Sequence, residues 1–379
     1  MDSSSPATPA RLTTSDLLHF LDDLFGHFAQ AFATADRAVV ARIGGNRFHF
    51  RTDSVAYSGT VRRGWADNGN VRSMEQASEN DGERVIDHHR DDSLGDGLLV
   101  ASHSGSLGLP YAPRWAEPFF RERSIESFLS PTRYRLHHQV ELGFWQMYDR
   151  ETGRGIQLTA PRLGPPPWDS GSPLRNFLRW HLARPDRDLL HAGSLAVDGV
   201  GVLLAGPGGS GKSGTVLAGL AHGLETVGDD YVLATIGETV SAQPLFNTLK
   251  QDPSGIARLG LAGHRAANRL NWQGKLQFTL ADLDLPPQPE RITIRALCLP
   301  TITGERRTRF VPAEGKEAFL ALAPSGVSQI PGDRGSMFGF AAQISRRLPA
   351  YRMLLGTEPE EIATAVRGFL STLTPNGSP

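Results

Sequence analysis

Gly206-Pro207-Gly208-Gly209-Ser210-Gly211-Lys212-Ser213 is the stretch that decides how this chain is read. It fits the pattern G-x-x-x-x-G-K-[ST] in full. An apolar run of strand character, Val200-Gly201-Val202-Leu203-Leu204-Ala205, precedes it, and a run of helical character, Thr215 to Ala221, follows it. Strand, glycine loop and helix in that order are the context this pattern, the P-loop, requires. Glycines let the backbone curl so that its N–H groups turn inward. The start of the helix adds partial positive charge at the same place. That combination suits the phosphates of a nucleoside triphosphate. Gly206, Pro207, Gly208, Gly209, Ser210, Gly211, Lys212, Ser213 and Gly214 would form the ATP cradle. Lys212 would reach the β- and γ-phosphates, and the Ser213 hydroxyl would bind Mg²⁺.

Two acids and a histidine flank this segment. Asp229-Asp230 follows the strand-like run Leu224–Val227, and Gly228 before them makes a bend plausible. In an ideal strand neighbouring side chains point to opposite faces, so both acids can serve one site only from a bend or a strand end. Phosphoryl transfer needs Mg²⁺ held on the triphosphate and a carboxylate to take the proton of an attacking hydroxyl. His191 opens the strand-like run that leads to the hairpin before the glycine loop. His191 stands 15 residues before Gly206, and Asp230 stands 17 after Ser213. There is no base-recognition segment of the G-protein type and no long apolar strand ending in Asp-Glu.

From His191 to Asp230 the sequence resembles the catalytic domain of HPr serine kinase/phosphorylases. That family also shows a His-led strand, a Val-Gly-Val-Leu strand into the glycine loop, and an Asp-Asp pair after the next helix. The resemblance implies that Asp230 accepts the proton of a substrate serine. It further implies that Lys212 and Ser213 serve the phosphates and the metal, and that His191 is an active-site histidine. Asp229 is then a second metal-holding group. Gly214 stands where the family usually has Glu. The family's Arg-Gly-x-Gly segment has no counterpart, and Asp252 is a weak stand-in for its metal-binding glutamate. The resemblance therefore points to the broader HPr-kinase-like set. Some of its members phosphorylate a serine of ribosomally made peptide precursors, such as lasso peptides. The implied partner is a protein or peptide carrying an acceptor serine, and homo-oligomers are possible in this set. Three other readings stay open: a P-loop ATPase or ATP-gated regulator, a small-molecule kinase, and a nucleotide-binding module without turnover.

The chain has 379 residues, 39% of them hydrophobic, and a formal net charge of -1. Near-zero charge argues against bulk attraction to nucleic acid or membrane. No apolar run approaches the roughly 18 residues a membrane helix needs. Residues 1–13 lack a signal-peptide apolar core and read as a disordered Ser/Pro/Thr tail. Cys298 is the single cysteine and reads as a buried strand residue. A cytoplasmic setting fits.

The fold expected is α/β: a mixed α+β N-terminal domain over residues 14–186, a P-loop domain over 187–373, and a flexible tail over 374–379. Asp16 to Ala35 carries apolar residues at helical spacing. Arg37–Ile43 and Asn46–Thr52 read as a hairpin, and Tyr134–Gln139, Phe144–Tyr148 and Ile156–Thr159 as strands. Thr60 to Gly97 reads as a long polar loop. Ser172-Pro173 reads as a helix cap followed by its first residue. Asp198-Gly199 suits a two-residue hairpin turn, and Thr357 to Glu360 fits a capping box. Lys250 and Arg334 are candidate phosphate or substrate contacts, Arg334 from a Gly-rich turn; Lys275 is a weaker one. The pairs His88-His89 and His137-His138 lack the partners and spacing of a metal site. Trp145, Tyr148, Trp168 and Trp180 read as N-terminal core.

Overall fold

The computed structural model describes residues 14–65, 72–73, 97–104, 128–139, 144–159, 164–260, 270–329, 331 and 334–373. The expected tails, His88-His89 and most of the expected polar loop lie outside these residues. The described part of that loop starts differently, because residues 60–64 complete the helix Val55–Gly64, capped by Ser54 Oγ accepting from the Tyr57 amide.

The protein is a mixed α/β chain built on two sheets. The first has seven strands: β1 (Arg37–Ile43), β2 (Asn46–Thr52), β3 (Arg72–Ser73), β4 (Leu98–Ser104), β5 (Tyr134–Gln139), β6 (Phe144–Asp149) and β7 (Arg154–Thr159). Their order is β3-β1-β2-β4-β7-β6-β5. β2, β4 and β7 run parallel, and the flanking pairs run antiparallel. The expected single helix over 16–35 is two, Thr14–Gly26 and Phe28–Thr34. Gly26 weakens the helix, and the His27 ring bonds the Asp23 carbonyl at 2.8 Å. Leu17, Leu21, Leu24, Phe28 and Ala31 still share one buried face against Met147 and Ile156.

The second sheet has eight strands: β8 (Arg187–Leu190), β9 (Gly193–Val197), β10 (Val200–Leu204), β11 (Val232–Ile236), β12 (Val240–Pro244), β15 (Ile292–Glu305), β16 (Arg309–Ala313) and β17 (Ala350–Gly356). β15 is its spine, parallel to β10 on one side and β17 on the other. Residues alternate between its two faces. Val202, Leu204, Ala296 and Cys298 pack under the helices Lys212–Ala221 and Pro359–Leu373. Leu203, Ala205, Leu297 and Leu299 pack under Gly315–Gln329 and Arg334–Arg347. Both faces are covered, which is why these strands read as unbroken apolar runs. A small pair, β13 (Thr248–Gln251) and β14 (Leu276–Thr279), stands apart.

β9 and β10 form the expected hairpin, with φ of 50° at Asp198 and 74° at Gly199. Positive φ at both central residues gives the twist a tight hairpin needs. Two other expectations change. Leu224–Val227 is not a strand; it joins β9 by the isolated Ala196–Glu225 bridge and by Ser194 and Thr226 side chains instead of a ladder. Thr357 does not close a capping box: its hydroxyl bonds the Glu358 side chain at 3.4 Å, and Glu361 accepts from Thr308.

The two sheets share a core. Phe48, Phe50 and Tyr57 from the first half cluster with Phe177 and Leu178 of the helix Arg175–Leu182, and with Leu189, Tyr231, Leu233 and Phe246. Tyr148 lies in that core with Trp180 packed against it, and Trp145 is buried in the neighbouring one. His138 stacks on Trp145, and His137 is buried beside Phe144. Among the described residues no helix is long and apolar enough to cross a membrane.

Candidate functional site

β10 runs straight into the loop 206–211, and the loop into the helix Lys212–Ala221. Two glycines carry backbone that other residues resist: φ is 82° at Gly209 and 107° at Gly211. At Gly211 a Cβ would also meet Leu355 Cδ1 at 2.5 Å. Among the described residues, the amides of Gly208, Gly209 and Gly211 have no backbone acceptor. The Ser210 hydroxyl is buried without a partner. The loop thus presents donors at a helix start, an arrangement that favours an anion. Lys212 does not reach outward. Its Nζ curls back to the carbonyls of Gly206 at 2.6 Å and Pro207 at 3.1 Å.

The acids sit in a bend after Gly228, where a Cβ would meet the Tyr231 carbonyl at 2.7 Å. Ser194 of β9 and Thr226 hold this segment. Ser194 Oγ accepts the Val227 amide at 2.9 Å, and Thr226 Oγ1 lies 3.0 Å from the Gly228 carbonyl. The bend turns both carboxylates into one cluster. Asp229 Oδ2 accepts the Lys250 amide at 3.1 Å, and the Ser213 hydroxyl lies close enough to the same side chain to favour its charged form. Asp229 Oδ1 is buried with no partner. Asp230 Oδ1 meets His191 Nε2 at 3.0 Å, while its Oδ2 meets Lys250 Nζ at 2.8 Å and accepts from Ser172 Oγ at 3.3 Å. His191 lies in the break between β8 and β9 and packs against Tyr231.

The environments of the two acids differ. Burial, with the Asp230 charge beside it, pushes Asp229 up to about 6 against Lys250 and Ser213. Burial would also raise Asp230, but the Lys250 ammonium and the His191 ring outweigh it and hold the carboxyl well below the ordinary range. Burial lowers the Lys212 ammonium; the two aspartates oppose this and Lys275 adds to it. Opposite charges thus converge on one small volume. Among the described residues no three His, Cys, Asp or Glu side chains group to hold a metal. Asp229 and the Ser213 hydroxyl are oxygen donors suited to a hard cation that takes its other oxygens from a ligand and water.

Of the residues singled out in the sequence, Lys212, Ser213, Asp229, Asp230, His191 and Lys250 come together. Lys250 is no solvated surface lysine; its side chain is 14% exposed and ion-paired. Lys275 lies near enough for its charge to act on Lys212. Gly214 faces Gln251, whose Nε2 would lie 3.1 Å from an added Cβ. Arg334 does not sit in a turn: it opens the helix Arg334–Arg347. Asp252 caps the helix Pro253–Arg258, accepting the Gly255 amide at 2.8 Å. Ser172 was expected as a helix cap, yet the helix begins at Arg175 behind Leu174 at φ 58°. Its hydroxyl goes to Asp230 instead, a long-range contact for which the local sequence carries no signal. A groove of about 820 Å³ lies elsewhere, lined by His222, Arg258, Arg307 and Glu358 among others, and holds none of these residues.

No protein-family model and no curated protein matches the sequence. Among solved structures, it is similar to the Hpr(Ser) kinase/phosphatase from Coxiella burnetii, with a TM-score of 0.28 and 13% identity. The match covers 49% of this chain and 97% of that one. A likeness of that strength carries no argument about chemistry.

Proposed function

We propose that this chain is an ATP-dependent phosphotransferase that moves the γ-phosphoryl group to a hydroxyl, a serine on a protein or peptide. The observation that carries the reading is the convergence of Lys212 and Ser213 with Asp229, Asp230, His191 and Lys250 beside a glycine loop whose Gly208, Gly209 and Gly211 amides have no backbone acceptor among the described residues. The loop amides would hold the β-phosphate. Lys212 would exchange its two neutral carbonyl acceptors for phosphate oxygens, a charge-assisted and stronger pairing. Asp229 and Ser213 would hold Mg²⁺, which when bound offsets the negative charge of the phosphates. The buried, unpartnered Asp229 Oδ1 fits that role.

Asp230 would orient the acceptor hydroxyl and take its proton. Its low proton affinity is compatible with this task. The transition state of phosphoryl transfer is loose, so position counts more than base strength. His191 donates from Nε2 to Asp230 and fixes its plane. Lys250 has three N–H donors; with one on Asp230, another can face the transferring phosphate.

Incubation with γ-labelled ATP, Mg²⁺ and serine-containing proteins or peptides tests the reading. Label on a protein or peptide is the expected result. Label on a metabolite would move the acceptor class. Release of free phosphate alone would make the chain an ATPase, and nucleotide binding without turnover would make it a binding module.

A further inference from the structure

Asp230 is held from three directions, by His191, by Lys250 and by Ser172, and the last of these belongs to the segment that leads in from the N-terminal half. The segment Asp169 to Pro173 crosses from the N-terminal half to the site and is tethered at both ends. At one end Tyr57 donates its hydroxyl to Asp169 Oδ2, and Gln157 Nε2 donates to the Tyr57 hydroxyl at 3.0 Å. At the other, Trp65 Nε1 donates to the Pro173 carbonyl at 3.2 Å. In between, Ser170 Oγ donates to Gln277 Oε1 at 3.1 Å and the Gln277 amide donates back to the Ser170 carbonyl. The following residue, Leu174, is fully buried at φ 58°, a conformation that bulky residues adopt only under constraint.

Two residues of this segment touch the charged pair. Ser172 is fully buried, and its Oγ donates to Asp230 Oδ2. Gly171 leaves the space through which Lys250 passes: a Cβ there would lie 2.3 Å from Lys250 Cε and 2.8 Å from Nζ. Gly171 has φ −113° and ψ −18°, which any residue can adopt. Its glycine is therefore required by the lysine beside it and not by the backbone.

We propose that Gly171 and Ser172 are positioning residues, through which the N-terminal half sets the place of the Lys250 ammonium and of the Asp230 carboxylate. The consequence for turnover rests on the phosphotransfer reading; the consequence for Lys250 does not.

Gly171→Ala tests this, because the new methyl meets only the flexible end of a side chain and the fold can absorb it. The expected results are three. Acylation of Lys250 by an amine-reactive ester, followed by peptide mass spectrometry, speeds up several-fold as the ammonium leaves Asp230. ATP affinity stays within about twofold, and ATP turnover falls by about 10- to 100-fold, the cost of a misplacement near 1 Å. In a Lys250→Met background the same glycine change causes no further loss, since its effect runs through the lysine. Ser172→Ala leaves Lys250 acylation unchanged and lowers turnover. Unchanged acylation in Gly171→Ala, a parallel loss of ATP affinity, or an additional loss in the Lys250→Met background would overturn the proposal. Unchanged turnover in Ser172→Ala would remove that residue from it. Faster acylation in a protein whose wild type turns over no ATP would sink the phosphotransfer reading and leave the positioning role standing.

Discussion

Asp169 makes the stability of this protein depend on pH in a direction opposite to that of most carboxylates. The side chain is 1% exposed. Burial pushes its carboxyl from the ordinary 3.8 up to about 7, although Tyr57, Arg175 and the Leu174 amide all pull it down. An unfolded chain releases that proton near 3.8, so between the two values the folded state binds more protons than the unfolded one. Stability from this group is therefore full below about pH 4 and is lost as pH rises through about 7. From pH 5 to pH 8 the loss comes to about 2.5 kcal/mol when the two titrations are integrated. Asp169→Asn keeps an oxygen to accept from Tyr57 and has no proton to release. The stability difference between variant and wild type should move in the variant's favour by about 2.5 kcal/mol over that range. Urea unfolding of both proteins at pH 5, 6.5 and 8, followed by two probes, measures it, and the other titrating groups cancel in the difference. A difference that stays constant with pH, or moves toward the wild type, would refute the reasoning.

Three further outcomes are expected. Lys212→Met should weaken ATP binding by about 10- to 100-fold, the loss of charge-assisted hydrogen bonds worth about 1.5–3 kcal/mol, with the thermal midpoint preserved; calorimetric titration reads this. Asp230→Asn should retain ATP affinity and lower turnover by about 10²–10⁴-fold, measured with a coupled ATP assay. Arg179→Met should cost about 3–5 kcal/mol in urea unfolding, because it strands Asp188, which is 4% exposed and pairs with Arg179 through two bonds of 3.0 Å.

Local patterns carried most of what was legible in the sequence. The glycine loop between β10 and its helix, the Asp198-Gly199 turn and β1, β2, β5, β6 and β7 of the first sheet are each specified within a few residues, whereas β4 is not among the strands expected and β3 falls within the expected polar loop. Lys212 and Ser213 came with the glycine-loop pattern, and the acids from the bend that Gly228 allows together with the family resemblance. What failed was long-range or a matter of degree. Gly26 and His27 split one helical pattern into two helices without changing its buried face. Leu224–Val227 has strand composition but is held by Ser194 and Thr226 side chains instead of a ladder. Lys250 sits 20 residues from Asp230 and Ser172 sits 58 away. No periodicity reports such pairings; Ser172-Pro173 even mimics a helix start, and the competing acceptor at Asp230 takes the hydroxyl.

The charged cluster also constrains how a triphosphate could enter. Its lysines are not equally committed. Lys212 bonds two neutral carbonyls, which phosphate oxygens outcompete because they carry formal charge. Lys250 bonds a full carboxylate at 2.8 Å from a side chain that is 14% exposed, and leaving it would strand a charge. The easier path is for Lys212 alone to turn while Lys250 stays on Asp230 and offers a remaining N–H. On the phosphotransfer reading, that division is what the proposed positioning role of the N-terminal segment would serve. Lys212 gives up only neutral carbonyls of its own loop when it turns. Lys250 must arrive already placed: Gly171 leaves the space in which it rests, and Ser172 holds the carboxylate that it meets.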